Sequence, residues 1–241
     1  MKDRSSFKAM PLTARAGIMM FAIMGFASVV YVVVHDMRFA PGHLVLLMAA
    51  ATACAKAKVK LYKASTISLL TSVVLLAIVM DGLAAALIVA VFGVTVQMAV
   101  PPKKLVLHQL IFNLGMIATT VTATWFTHES LAGVGTANPL STEAMATLMA
   151  SFVYFLGNSI SVSLIIALTQ KMSMAEVWLK HFMCTAPSFL LAGLLSLGVV
   201  ALISNQSVAI AAALVAAVSL SYYASIRLMR YRAIQESEVA K

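Results

Sequence analysis

Four polar side chains stand out in an otherwise apolar chain: Gln97, Asn113, Tyr154 and Asn158. An amide or a phenol both donates and accepts hydrogen bonds without carrying charge, so such groups can orient a small polar or amphipathic ligand in an apolar cleft. Their neighbours recur at helical spacing. Gln109, Asn113, Thr120 and Thr124 step by four, seven and four, and Ser151, Tyr154, Asn158 and Ser161 by three, four and three. Each set therefore lies on one face of a helix, and both faces are expected to look inward. Asn113 falls about 12 Å from one end of its segment and Asn158 about 16 Å from the same-side end of the antiparallel next one. The two amides are thus expected to meet at one depth. There they act as interhelical glue worth roughly 0.6–2 kcal/mol, or they line a ligand site with Gln97 and Tyr154.

Other chemistries find little support. His35, His43, His108, His128 and His181 show no i, i+4 pair, and no Cys or carboxylate completes a ligand set, so no metal site and no cofactor are assigned. Nucleophile elbows, Walker loops and dinucleotide fingerprints are absent, no catalytic residue is named, and the chain is read as a non-enzyme. Cys54 and Cys184 both fall near the face expected to be cytoplasmic, where thiols stay reduced, so they are read as apolar fillers and not as a disulfide.

The elements that must hold these residues follow from composition. Of 241 residues 62% are hydrophobic and only 10% charged, and the mean hydropathy is +0.98. Too few charges exist to cover a water-exposed surface, which excludes a soluble enzyme and makes the lipid bilayer the solvent. Apolar runs at 16–34, 41–55, 65–80, 82–100, 105–126, 142–169, 182–204 and 206–226 give an all-α, polytopic integral membrane protein of about eight transmembrane helices. The second and third runs are short and Asp81-Gly82 is a thin separator, so six or seven spans with re-entrant pieces form the other count. With eight spans, 16 of the 17 Lys and Arg residues fall on one side and only Arg38 on the other, beside Asp36, Asp81, Glu129 and Glu143. The positive-inside rule then puts both termini in the cytoplasm of a bacterial inner-membrane protein. The net charge of +9 sits at membrane edges, so no nucleic-acid partner is expected.

This divides the chain into a basic tail (1–15), a transmembrane domain (16–226) and a short cytoplasmic tail (227–241). Every Asp, Glu, Lys and Arg is expected at or near a junction. Pro187 is expected to kink the seventh segment one to two turns after it starts. The stretch 127–141 is read as the longest external loop. Ala209, Ala213, Ala217, Ser221 and Ser225 form a small-residue stripe that allows close approach within the bundle or across a homodimer axis.

Several short motifs carry a resemblance: Lys58-Val59-Lys60-Leu61 through Ser68, then Gln97, Pro101-Pro102-Lys103-Lys104 and Gln109-Leu110-Ile111-Phe112-Asn113. Tyr154-Phe155-Leu156-Gly157-Asn158, Leu168-Thr169, Val177-Trp178, Pro187 and a Tyr- and Arg-rich stretch at 222–232 follow in the same order. Over roughly residues 57–232 the chain resembles the amino-terminal membrane region of bacterial cyclic di-GMP signalling proteins with HD-GYP or GGDEF output domains. The resemblance implies a membrane input or anchoring module, with Gln97, Asn113 and Asn158 as matched polar positions. Only residues 233–241 follow Arg232, without an output domain, so the chain is a stand-alone relative or a fragment.

The expected function is accordingly a non-enzymatic sensory or anchoring membrane module that passes a signal to a cytoplasmic partner. A small-solute transporter or its membrane subunit is the rival reading. A third is an accessory subunit of a larger membrane complex.

Overall fold

The computed structural model describes residue 7, residues 10–35, 37, 39–56, 59–62, 65–67, 70–99, 106–133 and 139–203. Among these it contains seven α-helices and one small β-ladder: α1 (Leu12–His35), α2 (Pro41–Lys56), β1 (Val59–Tyr62), β2 (Ser65–Ile67), α3 (Leu70–Ala99), α4 (Leu107–Ala132), α5 (Pro139–Gln170), α6 (Met174–His181) and α7 (Ala186–Ile203). Leu12–His35, Leu107–Ala132 and Ser141–Gln170 are long and apolar enough to cross a membrane, and Leu70–Ala99 has the same length and composition but folds back at its middle; together they make this a helical protein of membrane type. The eighth expected segment, the stripe at 209–225, the tail at 227–241 and the Pro101–Lys104 motif lie outside the described residues.

The third and fourth expected segments form one helix that doubles back. Gly82 holds a non-helical conformation (φ 78, ψ −163) within α3, a region essentially reserved for glycine. In a straight helix positions 70 and 93 would lie about 34 Å apart. Instead, a Cβ placed on Gly93 would stand 2.4 Å from Leu70 Cδ1. Helix α3 is therefore a hairpin with its tip at Asp81-Gly82. The turn falls where the sequence placed it, but the first arm, 70–81, covers only about 18 Å, short of the roughly 30 Å a crossing requires. Residues 65–67, expected to begin a helix, pair antiparallel with β1 instead.

Other boundaries move for local reasons. Helix α4 runs on to Ala132 and α5 begins at Pro139, so the expected external loop 127–141 shrinks to a short connection. Proline at the first residue of α5 is favourable, because its missing N–H has no partner to lose there. Helix α5 ends with Lys171 in the left-handed region (φ 57) and with the Met172 N–H donating to Ala167 O at 3.1 Å, a Schellman-type stop. The connection expected between the runs 142–169 and 182–204 contains α6, which His181 closes. A 61° bend then separates α6 from α7, across a single 3-10 turn at Met183–Thr185. Pro187 does not kink a helix. It is the second residue of α7, in the first turn, where the ring is tolerated.

The largest core joins the α3 hairpin to α2, α4, α5 and α7 through buried Leu47, Leu75, Leu83, Val121, Tyr154 and Ala192. A second cluster, Ile18, Phe21, Phe112 and Met116, joins α1 to α4. Helices α1 and α4 cross with their backbones touching: a Cβ on Gly25 would meet Gly115 Cα at 2.5 Å, and one on Gly115 would meet Phe21 O at 2.3 Å. The remaining face of α1 exposes Ile23, Phe26, Val29, Val33 and Val34, a surface suited to lipid.

Candidate functional site

The expected polar faces do turn inward, and they spend themselves on packing. On α4 Thr120 and Thr124 are buried, and on α5 so are Ser151, Tyr154 and Ser161, whereas Gln109 is exposed. Most hydroxyls satisfy nearby carbonyls, as side chains in helices commonly do. Thr124 donates to Thr120 O at 2.7 Å, Ser161 to Gly157 O at 2.6 Å, and Ser151 to Phe189 O of α7.

The four candidate residues separate into three places. Asn113 donates to Met98 Sδ at 3.4 Å, which sets it beside the end of α3 that carries Gln97. No hydrogen bond joins Asn113 to Asn158. The register of α4 on α5 explains this. Gly157 lies against Thr120, with its Cβ position 2.8 Å from Thr120 Cγ2, so Asn158 is level with a position about 10 Å along α4 from Asn113. Both asparagines are half-buried. Tyr154 belongs to a third neighbourhood, hydrogen-bonded to Thr71 of α3 and with its ring 6.0 Å from that of Phe189.

Around Tyr154 lies a seam that sequence reasoning half found. Ser196 of α7 donates to Ser72 O at 2.8 Å. Gly193 lets α7 close on α5, its Cβ position 2.9 Å from Ser151 Cβ. The Ser72 and Thr147 hydroxyls are buried there without a hydrogen-bond partner. Thr147 extends the Ser151–Tyr154 spacing by one further turn of α5, and that step of four was the available signal. The contribution of α3 was hidden because it depends on the hairpin.

The groups able to exchange protons were scattered in the sequence, and folding brings them to one end of the bundle. Asp81, expected at a solvated junction, is buried at the tip of α3. Its Oδ1 lies 3.1 Å from His43 Nδ1 of α2, and its Oδ2 is buried without a hydrogen-bond partner. His128 of α4 is buried as well, with Nε2 3.0 Å from Glu143 Oε1 of α5 and Nδ1 3.8 Å from Glu129 Oε1. At the same end His35 stacks on Tyr31 at 4.6 Å, and Tyr31 reaches Trp125 and Phe126 of α4. No cluster of three or more His, Cys, Asp or Glu able to hold a metal occurs among the described residues. Cys54 is a free thiol. Comparison with protein-family models, with curated proteins and with solved structures finds no match to this chain.

Proposed function

We propose that the chain is a non-enzymatic membrane module that senses or anchors, and that it hands a change in helix packing to a cytoplasmic partner from the inner membrane of a bacterium. The observation that carries this reading is the break between α6 and α7. Helix α6 is tied to α5 by Trp178 Nε1, which donates to Ser159 Oγ at 2.9 Å. Helix α7 leaves at 61° and is anchored on α3 and α5 by contacts of its own, Ser196 donating to Ser72 O and Ser151 to Phe189 O, so the bend divides two separately anchored pieces. A signalling role requires two packed states whose balance the input shifts, and the bend between two separately anchored helices is where we place such an element. The likeness of residues 57–232 to the membrane regions of cyclic di-GMP signalling proteins supports the same reading, with a second copy of the chain as a further partner.

The test is purification in mild detergent followed by mass spectrometry of everything retained. Recovery of a cytoplasmic output protein supports signalling. The variant Asn158→Leu, inserted normally, is expected to lose that coupling, and unchanged output removes Asn158 from the ligand-binding role.

A transporter reading is favoured by one specific contact. The backbone of strand β2 lies beside the 3-10 turn at Met183–Thr185, so two interruptions of helical structure from distant parts of the chain come together, as in transporters whose broken helices build the substrate site. A retained solute or an ATPase in the same experiment selects this reading.

A further inference from the structure

We propose that Arg15 holds the phosphate of an anionic phospholipid whose acyl chain lies along α1. Arg15 stands in the first turn of α1. The apolar run that follows it, 16–34, is about 28 Å long, close to the roughly 30 Å of a bilayer's hydrocarbon layer, which sets Arg15 at the level of the headgroups. Its Nε is buried without a hydrogen-bond partner, and no ion pair joins Arg15 to a carboxylate among the described residues. A guanidinium stays charged and offers five N–H donors in a planar fork, so this fork lacks an acceptor, and a phosphate takes two such bonds at once. Met19, Ile23 and Phe26 follow Arg15 at i+4, i+8 and i+11, on the same face of the helix, and all three are exposed. They reach about 16 Å from Arg15, the depth of one leaflet. An acyl chain on this stripe therefore brings its phosphate to the guanidinium.

The charges at this end select the headgroup. Gly17 lies against α5, its Cβ position 3.0 Å from Ile165 Cδ1 and 3.5 Å from Leu168 Cδ1, so Lys171, three residues further on, is level with the start of α1. Phe21 meets Phe112 with ring centroids 5.4 Å apart, and Tyr31 meets Trp125 further along, so α1 and α4 run parallel and Arg15 is level with the first turn of α4. That turn has no acidic residue, and its positive end favours the same charge. Of the described carboxylates, Asp81, Glu129 and Glu143 gather at the opposite end, and Glu176 is exposed on α6. The stretches leading into α1 and α4, outside the described residues, carry Lys2, Arg4, Lys8, Lys103 and Lys104 against Asp3. This balance suits a phosphate without an amine beside it, a lipid of the phosphatidylglycerol class. The site serves a sensor and a transporter alike.

The test is native mass spectrometry of the full chain in mild detergent, titrated with phosphatidylglycerol or with phosphatidylcholine of the same acyl chains. The unaltered protein is expected to retain one phosphatidylglycerol about tenfold more tightly than phosphatidylcholine, the ratio one charge-assisted hydrogen bond supplies. Arg15→Gln is expected to abolish that preference. Arg15→Lys keeps the charge and loses the fork, so its preference should fall between the two, and it carries the test if Arg15→Gln does not fold. Lys180→Gln on α6 should leave the preference unchanged, and excess inorganic phosphate should not displace the lipid. Equal affinity for the two lipids overturns the proposal, as does a full preference in both Arg15 variants. An equal loss in Lys180→Gln would mark a diffuse field in place of a site, and displacement by inorganic phosphate would assign Arg15 to a free anion; either result overturns the lipid assignment.

Discussion

The crossing of α1 over α4 offers a calculation that can fail. A Cβ added at Gly115 would stand 2.3 Å from Phe21 O, 2.6 Å from Phe21 C and 2.9 Å from Ala22 Cα. All three are backbone atoms and cannot rotate away. Ordinary contact begins near 3.4 Å, so Gly115→Ala must push the helices apart by more than about 1 Å. Overpacking of this kind costs about 1–3 kcal/mol, while alanine returns up to about 1 kcal/mol of helix propensity. Because both partners are backbone, the upper end of that cost applies, and the net expectation is a loss of about 2 kcal/mol. Gly25 faces Gly115 at the same point, with its Cβ position 2.5 Å from Gly115 Cα, so the second substitution enters space the first has already opened. The double variant is expected to lose clearly less than the sum of the singles. Unfolding by SDS in mixed bicelles, followed by tryptophan fluorescence, gives all three values. Gly42→Ala is the control, since nothing lies within 4 Å of its Cβ position and it should be neutral or slightly stabilising. Gly115→Ala at full stability, or strict additivity with Gly25→Ala, would refute the close crossing.

Three further outcomes follow from the same structure. Gly82→Ala forces a side chain into backbone space reserved for glycine and should cost about 1–3 kcal/mol in the same unfolding assay. Gly93→Ala collides with Leu70 in its side chain only, so Leu70→Ala added to it should restore part of the loss; no rescue would argue against the hairpin. Trp178→Phe removes the bond to Ser159 Oγ at a cost of about 0.6 kcal/mol and at most about 1.7, and faster hydrogen exchange should be confined to peptides covering 174–185.

Much of the architecture was legible because a membrane leaves the backbone few options. Apolar runs become helices, as α1, α4 and α5 show at spanning length and α2 at a shorter one, with ends displaced by at most about six residues. The turn at Asp81-Gly82 was legible for a local reason, since glycine alone is comfortable at that φ. The extension of α4 past Phe126 was not, because Thr127–Ala132 is polar enough to resemble a loop, and the hydrogen bond it makes from His128 to Glu143 of α5 joins residues of two different helices. Pro187 misled for a similar reason: proline bends a helix it interrupts and starts a helix it opens, and only the bend at 182–185 distinguishes the two.

The candidate site divides along the same line. Periodicity alone determined that Thr120, Thr124, Ser151, Tyr154 and Ser161 face inward, because a helix of fixed pitch puts such positions on one side. The depth at which α4 meets α5 is decided elsewhere, by Gly157 seated on Thr120, and a shift of two turns there keeps Asn113 from Asn158. The carboxylate–histidine pairs carry the same lesson. His43 and Asp81 are 38 positions apart and His128 and Glu143 are 15 apart, separations at which no helical period relates two side chains. Composition and spacing settled that this chain folds into apolar helices, while tertiary structure decided which of its few polar groups touch.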